Sequence, residues 1–188
     1  VAGDLTTTGV PLEPAGTMTY HELFEIYTEQ ITALAEAGAD LLVVETMLGI
    51  DEMTVALEAA QSVCALPVLC SMTVQADGSG YFGGTCVEAV ETLQELGAAA
   101  VGINCSTGPD QLESLVRNMR QAAKVPLLVK PNAGMPEISP EGEAIYSMGP
   151  AAFAQHMRTL IDAGAALVGG CCGTDPRYIS ALRDVLPR

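Results

Sequence analysis

Tryptophan is absent from this 188-residue chain, histidine occurs only twice, and Lys and Arg together number 8. Each shortage excludes something. Against 23 acidic residues the few basic ones leave a formal net charge of −15, which disfavours nucleic acid and anionic membrane surfaces, both bound through clustered Lys and Arg. His21 and His156 sit on polar stretches of expected helices with no third partner suggested, so neither supports a nucleophilic triad. Hydrophobic residues make up 49%, yet no apolar run approaches the ~18 residues of a membrane span. No basic, apolar, small-residue signal pattern is present either, and the expected setting is a reducing cytoplasm.

Cysteine is better supplied, with 6 residues. A chain of this length can bury a substantial core and is not a small loop-rich scaffold that needs disulfide staples. Cys64, Cys70 and Cys86 lie in apolar surroundings and read as ordinary core thiols. The other three stand apart, in Gly102-Ile103-Asn104-Cys105 and Gly169-Gly170-Cys171-Cys172-Gly173-Thr174. Each group follows a short apolar run of the kind that forms a buried strand, so these thiols are presented at strand exits. Adjacent side chains point apart in a regular strand, and both cysteines reach one metal only if the backbone turns, as the flanking glycines allow. Three soft thiolates with no obvious fourth protein ligand suggest zinc with one position open, the catalytic arrangement.

Internal similarity carries the architecture. Segments 36–45, 95–105 and 162–171 each run from a helix end, through a glycine suited to the left-handed position after it, into a buried strand. Segments 65–73 and 125–132 enter their strands through proline. Thr19 with Glu22 and Thr85 with Glu88 fit capping boxes. Asp51 and Asp175 are expected helix N-caps, the second before Pro176, and Pro109 and Pro150 open two more helices. Leu23, Phe24, Tyr27, Ile31 and Leu34 line one face of a helix over 20–37.

Strands are thus expected at 1–5, 41–45, 68–73, 99–104, 127–130 and 165–170, apolar throughout and alternating with helices, which implies an α/β fold with a parallel sheet. A doubly wound sheet and a barrel both fit that pattern. Chemistry favours a (β/α)8 TIM-type barrel, represented by roughly its last six βα units, because polar or ligand residues end nearly every strand. These are Glu45, Ser71 and Thr73, Asn104 and Cys105, Lys130 and Asn132, and the Cys171-Cys172 pair, all expected on one rim. The expectation is a single domain over 1–188, incomplete on its N-terminal side.

Gly102-Ile-Asn-Cys105, Pro131-Asn-Ala-Gly-Met-Pro136 and Gly169-Gly-Cys-Cys-Gly-Thr174, in that order, resemble the zinc-dependent homocysteine S-methyltransferases. The likeness is strongest to the homocysteine-binding domain of cobalamin-dependent methionine synthase, and it aligns the chain with the third through eighth units of that family's barrel. It implies that Cys105, Cys171 and Cys172 bind Zn2+, that Glu45, in Val43-Val-Glu-Thr46, holds the ammonium of homocysteine, and that Thr46 and Asn132 also belong to the substrate-binding set. It implies that the Asn132 oxygen can occupy the metal's fourth position before homocysteine arrives. It further implies methylation of the thiol to give methionine, with methylcobalamin as donor and with cobalamin and folate modules of a larger polypeptide as partners. Betaine- or S-methylmethionine-dependent homocysteine methyltransferases share the zinc motif and stay open as alternatives. So does a phosphate-binding barrel enzyme using Gly169–Thr174 at a helix start, although Asp175 there argues against an anion. One departure is local: the family often carries Gly-Pro in its third strand, where this chain reads Gly3-Asp-Leu-Thr-Thr-Thr-Gly9.

Overall fold

Strand and helix alternate through the computed structural model, which describes residues 1–186. The strands are β1 (Ala2–Thr6), β2 (Leu41–Met47), β3 (Val68–Met72), β4 (Ala100–Cys105), β5 (Leu127–Pro131), the short β6 (Glu137–Ile138) and β7 (Ala144–Ile145), and β8 (Ala165–Val168). The helices are α1 (Tyr20–Glu36), α2 (Ile50–Val63), α3 (Cys86–Glu95), α4 (Glu113–Ala122), α5 (Pro150–Asp162) and α6 (Pro176–Val185). One sheet carries the order β1-β2-β3-β4-β5-β8, and every pairing in it is parallel. Sequential strands joined by helices and lying side by side are what a barrel wall requires. A doubly wound sheet would reverse its order part-way, and this one does not.

Local chemistry explains most boundaries. Thr19 completes its capping box, accepting from the Glu22 amide while the Glu22 carboxylate accepts from Thr19 N. Thr85 accepts from the Glu88 amide, but the return bond is not made. Asp175 caps α6 and Pro176 follows at its first position, as expected. Asp51 does not cap α2: the cap is Gly49 and the helix begins at Ile50, two residues earlier than an Asp51 cap would place it. Asp51 instead lies in the first turn, where its charge favours the positive end of the helix dipole. Pro109 opens a single 3-10 turn (Pro109–Gln111), and α4 proper starts at Glu113. Leu23, Tyr27 and Ile31 are buried under α1, whereas Phe24 and Leu34 are only partly covered.

Two differences from the expected strands concern the rim. β2 runs on to Met47 through a register shift against β3, and β8 stops at Val168, leaving Gly169 and Gly170 outside the sheet. The antiparallel hairpin of β6 and β7 was not anticipated, because its strands have two residues each and are exposed on both faces, so no alternation marks them. The core lies between sheet and helices, around Leu5, Tyr27, Leu42, Met53, Met72, Ile103 and Phe153. Gly102 is obligatory within it, since a Cβ there would come within 1.7 Å of the Leu128 carbonyl oxygen on β5.

Candidate metal centre

The site is built where β4 and β8 end. Cys105, the last residue of β4, has φ 58°, and Ser106 after it has φ 63°. This left-handed turn is costly for residues with a Cβ and redirects the Cys105 side chain from the strand's own alternation. Beyond β8 the chain is stitched onto the extension of β5. Cys171 N donates to the Pro131 carbonyl at 2.9 Å, Ala133 N donates to the Cys172 carbonyl at 2.9 Å, and Cys172 N donates to Asn132 Oδ1 at 3.1 Å. Thr174 Oγ1 closes the turn on the Cys171 carbonyl at 2.7 Å. Gly173 has φ 77°, and its bare Cα is covered by the ring of Tyr146, which the hairpin delivers.

These turns bring the three thiols together. The sulfurs of Cys105, Cys171 and Cys172 all lie within 4.8 Å of one another, and Cys105 and Cys172 are 3.8 Å apart. A tetrahedral zinc with bonds of ~2.3 Å has sulfur–sulfur edges of about 3.8 Å. The donor set therefore fits zinc with little movement. Cys172 is exposed and the other two half-buried, so one side of the cluster faces solvent. The crowding shows in the protonation. The Cys105 thiol donates to Cys171, whose pKa falls to about 5 against the opposing effect of burial, with the Cys172 amide and Asn104 assisting. Cys105, as that donor, is pushed up, with burial and the neighbouring sulfurs adding to the rise.

Asn104 ties the rim together beneath the sulfurs. Only 1% exposed, it accepts at Oδ1 from Thr46 N and from Ser71 Oγ, both at 2.8 Å. Its Nδ2 donates to Thr46 Oγ1 at 2.7 Å and reaches Cys171 Sγ at 3.8 Å. One amide thereby links β2, β3, β4 and the Cys171 turn. The sequence places Asn104 at a strand end but assigns it no role; its adjacency to Cys105 was the available signal. Tyr146 left no such trace, since it follows a hairpin with no sequence signature.

Comparison with known proteins decides the assignment. The model of the family described as homocysteine S-methyltransferase matches residues 1–186. The chain belongs to that family. It is 30% identical over 186 residues to a methionine synthase of Mycobacterium leprae and 31% identical over 177 residues to that of Mycobacterium tuberculosis. Those alignments cover 96% and 91% of this chain but 15% of each relative, so the chain spans a small part of their length. The apo crystal structure of the homocysteine methyltransferase MmuM from Escherichia coli superposes with a TM-score of 0.79 at 24% identity, covering 98% of this chain and 62% of that one. That likeness bears on the fold, a β/α barrel of which six strands are present here.

Among the residues that the homocysteine methyltransferase motifs point to, Glu45 forms an ion pair with Lys130 inside the mouth of the sheet. Thr46 has φ 58° and its side-chain oxygen is engaged by Asn104. Asn132 is 3% exposed and its oxygen accepts from the Cys172 amide, so it braces the cysteine turn. The loop before α6 offers no free anion cradle, because the Asp175 carboxylate already accepts from the Arg177 amide at 2.8 Å and pairs with the Arg177 side chain.

Proposed function

We propose that this chain binds homocysteine and presents its sulfur for methylation to methionine, with Cys105, Cys171 and Cys172 holding Zn2+. The observation that carries this reading is the trio of sulfurs within 4.8 Å of one another at the sheet's rim, open on one side. A free thiol, with a pKa near 8.5, is mostly protonated at neutral pH, and only the thiolate attacks carbon. When bound, zinc supplies the missing acidity, lowering the pKa of a thiol that joins it. The chain's own residues do the rest. Glu45 receives the ammonium of the amino acid and so fixes which way its thiol points, an orientation effect. Asn104, through Thr46 and Cys171, keeps the ammonium-binding strand and the cysteine turn in one frame. Asn132 holds the Cys172 backbone, and the family resemblance makes its oxygen the candidate to fill the open position before substrate arrives.

The methyl donor in this reading is methylcobalamin, recharged from methyltetrahydrofolate, each on a module outside these residues of a larger cytoplasmic polypeptide. Support comes from the two methionine synthases, of which the aligned part is 15%. The open edges of β1 and β8 support a further pair of βα units closing the barrel. X-ray absorption at the zinc edge tests the centre. Three sulfurs and one lighter atom are expected without substrate and four sulfurs with homocysteine. A four-sulfur site in the absence of homocysteine, or no zinc after anaerobic purification, would refute the reading.

A further inference from the structure

Tyr146 holds neither metal nor substrate in the reading above, yet it stands against the metal centre. It follows β7 directly and is partly buried. Its ring lies over the bare Cα of Gly173, where a Cβ would come within 2.3 Å of Tyr146 Cγ and 2.5 Å of Cδ2. Gly173 is the residue after Cys172, so its lack of a side chain is what admits the ring to the cysteine turn. The phenol oxygen comes within hydrogen-bonding reach of the Cys172 sulfur. Burial and the neighbouring sulfurs push its pKa up, so the hydroxyl keeps its proton and is a donor.

The placement is braced from behind. Two residues after Tyr146, Met148 N donates to the Ala133 carbonyl at 3.2 Å, and the Met148 carbonyl accepts from Tyr178 OH at 2.7 Å. Ala133 N in turn donates to the Cys172 carbonyl at 2.9 Å. Ala133 therefore fixes both Cys172 and the segment that carries Tyr146, and the exposed hairpin is not the only link between them.

The chemistry of the site poses a problem of choice. On the homocysteine reading four thiolates share one zinc, and only the substrate's is to be methylated. In that step a sulfur lone pair bonds the methyl carbon while the carbon's bond to the donor breaks and its electron pair leaves with the donor. A cysteine thiolate could react in the same way, becoming a thioether and losing its charge as a ligand. Cys105 and Cys171 are half-buried, and Cys171 also has Asn104 Nδ2 at 3.8 Å. Cys172 is exposed, on the side where a donor must arrive. A hydrogen bond to a thiolate engages its lone pair and lowers its nucleophilicity.

We infer that the Tyr146 hydroxyl, donating to Cys172 Sγ, guards that ligand against alkylation and so leaves the substrate's sulfur as the methyl acceptor. The inference rests on the zinc and homocysteine reading and adds a positioning residue that acts through Cys172.

Tyr146→Phe tests this, because it keeps the ring on Gly173 and removes only the hydroxyl. Zinc-loaded wild type and variant are treated with iodoacetamide, whose carbon bonds the sulfur as iodide leaves, and each cysteine is followed by mass spectrometry. Cys172 should be alkylated about 10-fold faster in the variant, with Cys105 and Cys171 little changed. In the cobalt-substituted proteins the sulfur-to-metal charge-transfer absorption should move to lower energy in Tyr146→Phe, since a thiolate that has lost a donor is easier to oxidise. Equal alkylation rates, or faster alkylation with the absorption unmoved, would make Tyr146 a steric cover for the turn and overturn the inference. Should Tyr146→Phe fail to fold, the wild type still decides: Cys172, though exposed, should react no faster than half-buried Cys105, and its preferential alkylation refutes the guard. Failure of zinc-loaded wild type to bind homocysteine would instead refute the homocysteine reading, and this one with it.

Discussion

Cys70 and Cys171 are the same residue placed a few residues apart along two strands of one sheet, and they behave as opposites. Cys70, within β3, is fully buried, and burial pushes its thiol up to about 12. Cys171, just beyond β8, comes down to about 5, because the Cys105 thiol, the Cys172 amide and Asn104 all direct hydrogens at its sulfur. Within the strand a cysteine is a small hydrophobe; past its end, among donors, its thiolate is favoured, the form that can bind a metal. What separates them is the left-handed turn at Cys105 and Ser106 and the glycine-flanked turn at Cys171, not composition.

The first way to break that comparison is to remove one member of each class. Cys171→Ala should take zinc from about one per chain to near none, since a tight site needs all its protein ligands. Cys70→Ala should keep full zinc content and cost about 1 kcal/mol of stability for the small cavity. Metal analysis and denaturant unfolding measure the two. Zinc retained in Cys171→Ala, or lost in Cys70→Ala, would erase the distinction.

Two glutamates repeat the contrast. Glu52 on α2 is 6% exposed and accepts from Thr7 Oγ1 at 2.5 Å, Thr8 N at 2.7 Å and Tyr27 OH at 2.9 Å, all fixed within the fold. Glu45 has one flexible partner, Lys130, and a rim open to solvent. Glu45→Gln should weaken homocysteine by about 30-fold to 1000-fold, roughly 2–4 kcal/mol, with zinc intact, because it removes charge and little volume. Glu52→Ala should instead lower folding stability by about 3 kcal/mol, since buried hydrogen bonds to a charge contribute most when their donors are left unpaired. Titration calorimetry and chemical denaturation separate these outcomes. Unchanged homocysteine affinity in Glu45→Gln would make Glu45 a second Glu52, a structural carboxylate only.

How far the sequence discloses all this follows the range of the forces involved. The repeat of helix end, glycine and apolar strand is local, and it placed all six sheet strands and the rim to which Cys105, Cys171 and Cys172 belong. Asp51 misled because a glycine cap leaves no side-chain signature, so the nearest acidic residue drew the assignment. The hairpin of β6 and β7 escaped because exposed two-residue strands need no hydrophobic pattern. Asn104 was visible as a strand-end residue, but its bonds to Thr46 and Ser71 span 58 and 33 residues of chain, and only the folded sheet brings those partners together. The Lys130–Glu45 pair, 85 residues apart, could be suspected as a rim pairing and needed the same sheet to form.

The smallest effect is expected at Thr46, and its smallness is informative. A β-branched residue at φ 58° sits where its Cβ is crowded, at a cost of order 1–2 kcal/mol. Its hydroxyl recovers part of that by accepting from Asn104 at 2.7 Å, a bond of about 1 kcal/mol net. Thr46→Gly relieves the strain, forfeits the hydrogen bond and frees the unfolded chain, three changes of similar size and mixed sign. Folding stability should therefore move by less than about 1 kcal/mol. The Asn104 amide would lose one acceptor at Nδ2 while keeping the Thr46 backbone as donor, so the frame between Glu45 and Cys171 loosens without breaking. Homocysteine affinity should fall by only a few-fold, about 0.5–1 kcal/mol, far less than for Glu45→Gln. Stabilisation beyond about 2 kcal/mol would mean the hydrogen bond contributes nothing and the strain is uncompensated. A loss as large as that of Glu45→Gln would move Thr46 from the frame of the site into direct contact with the substrate.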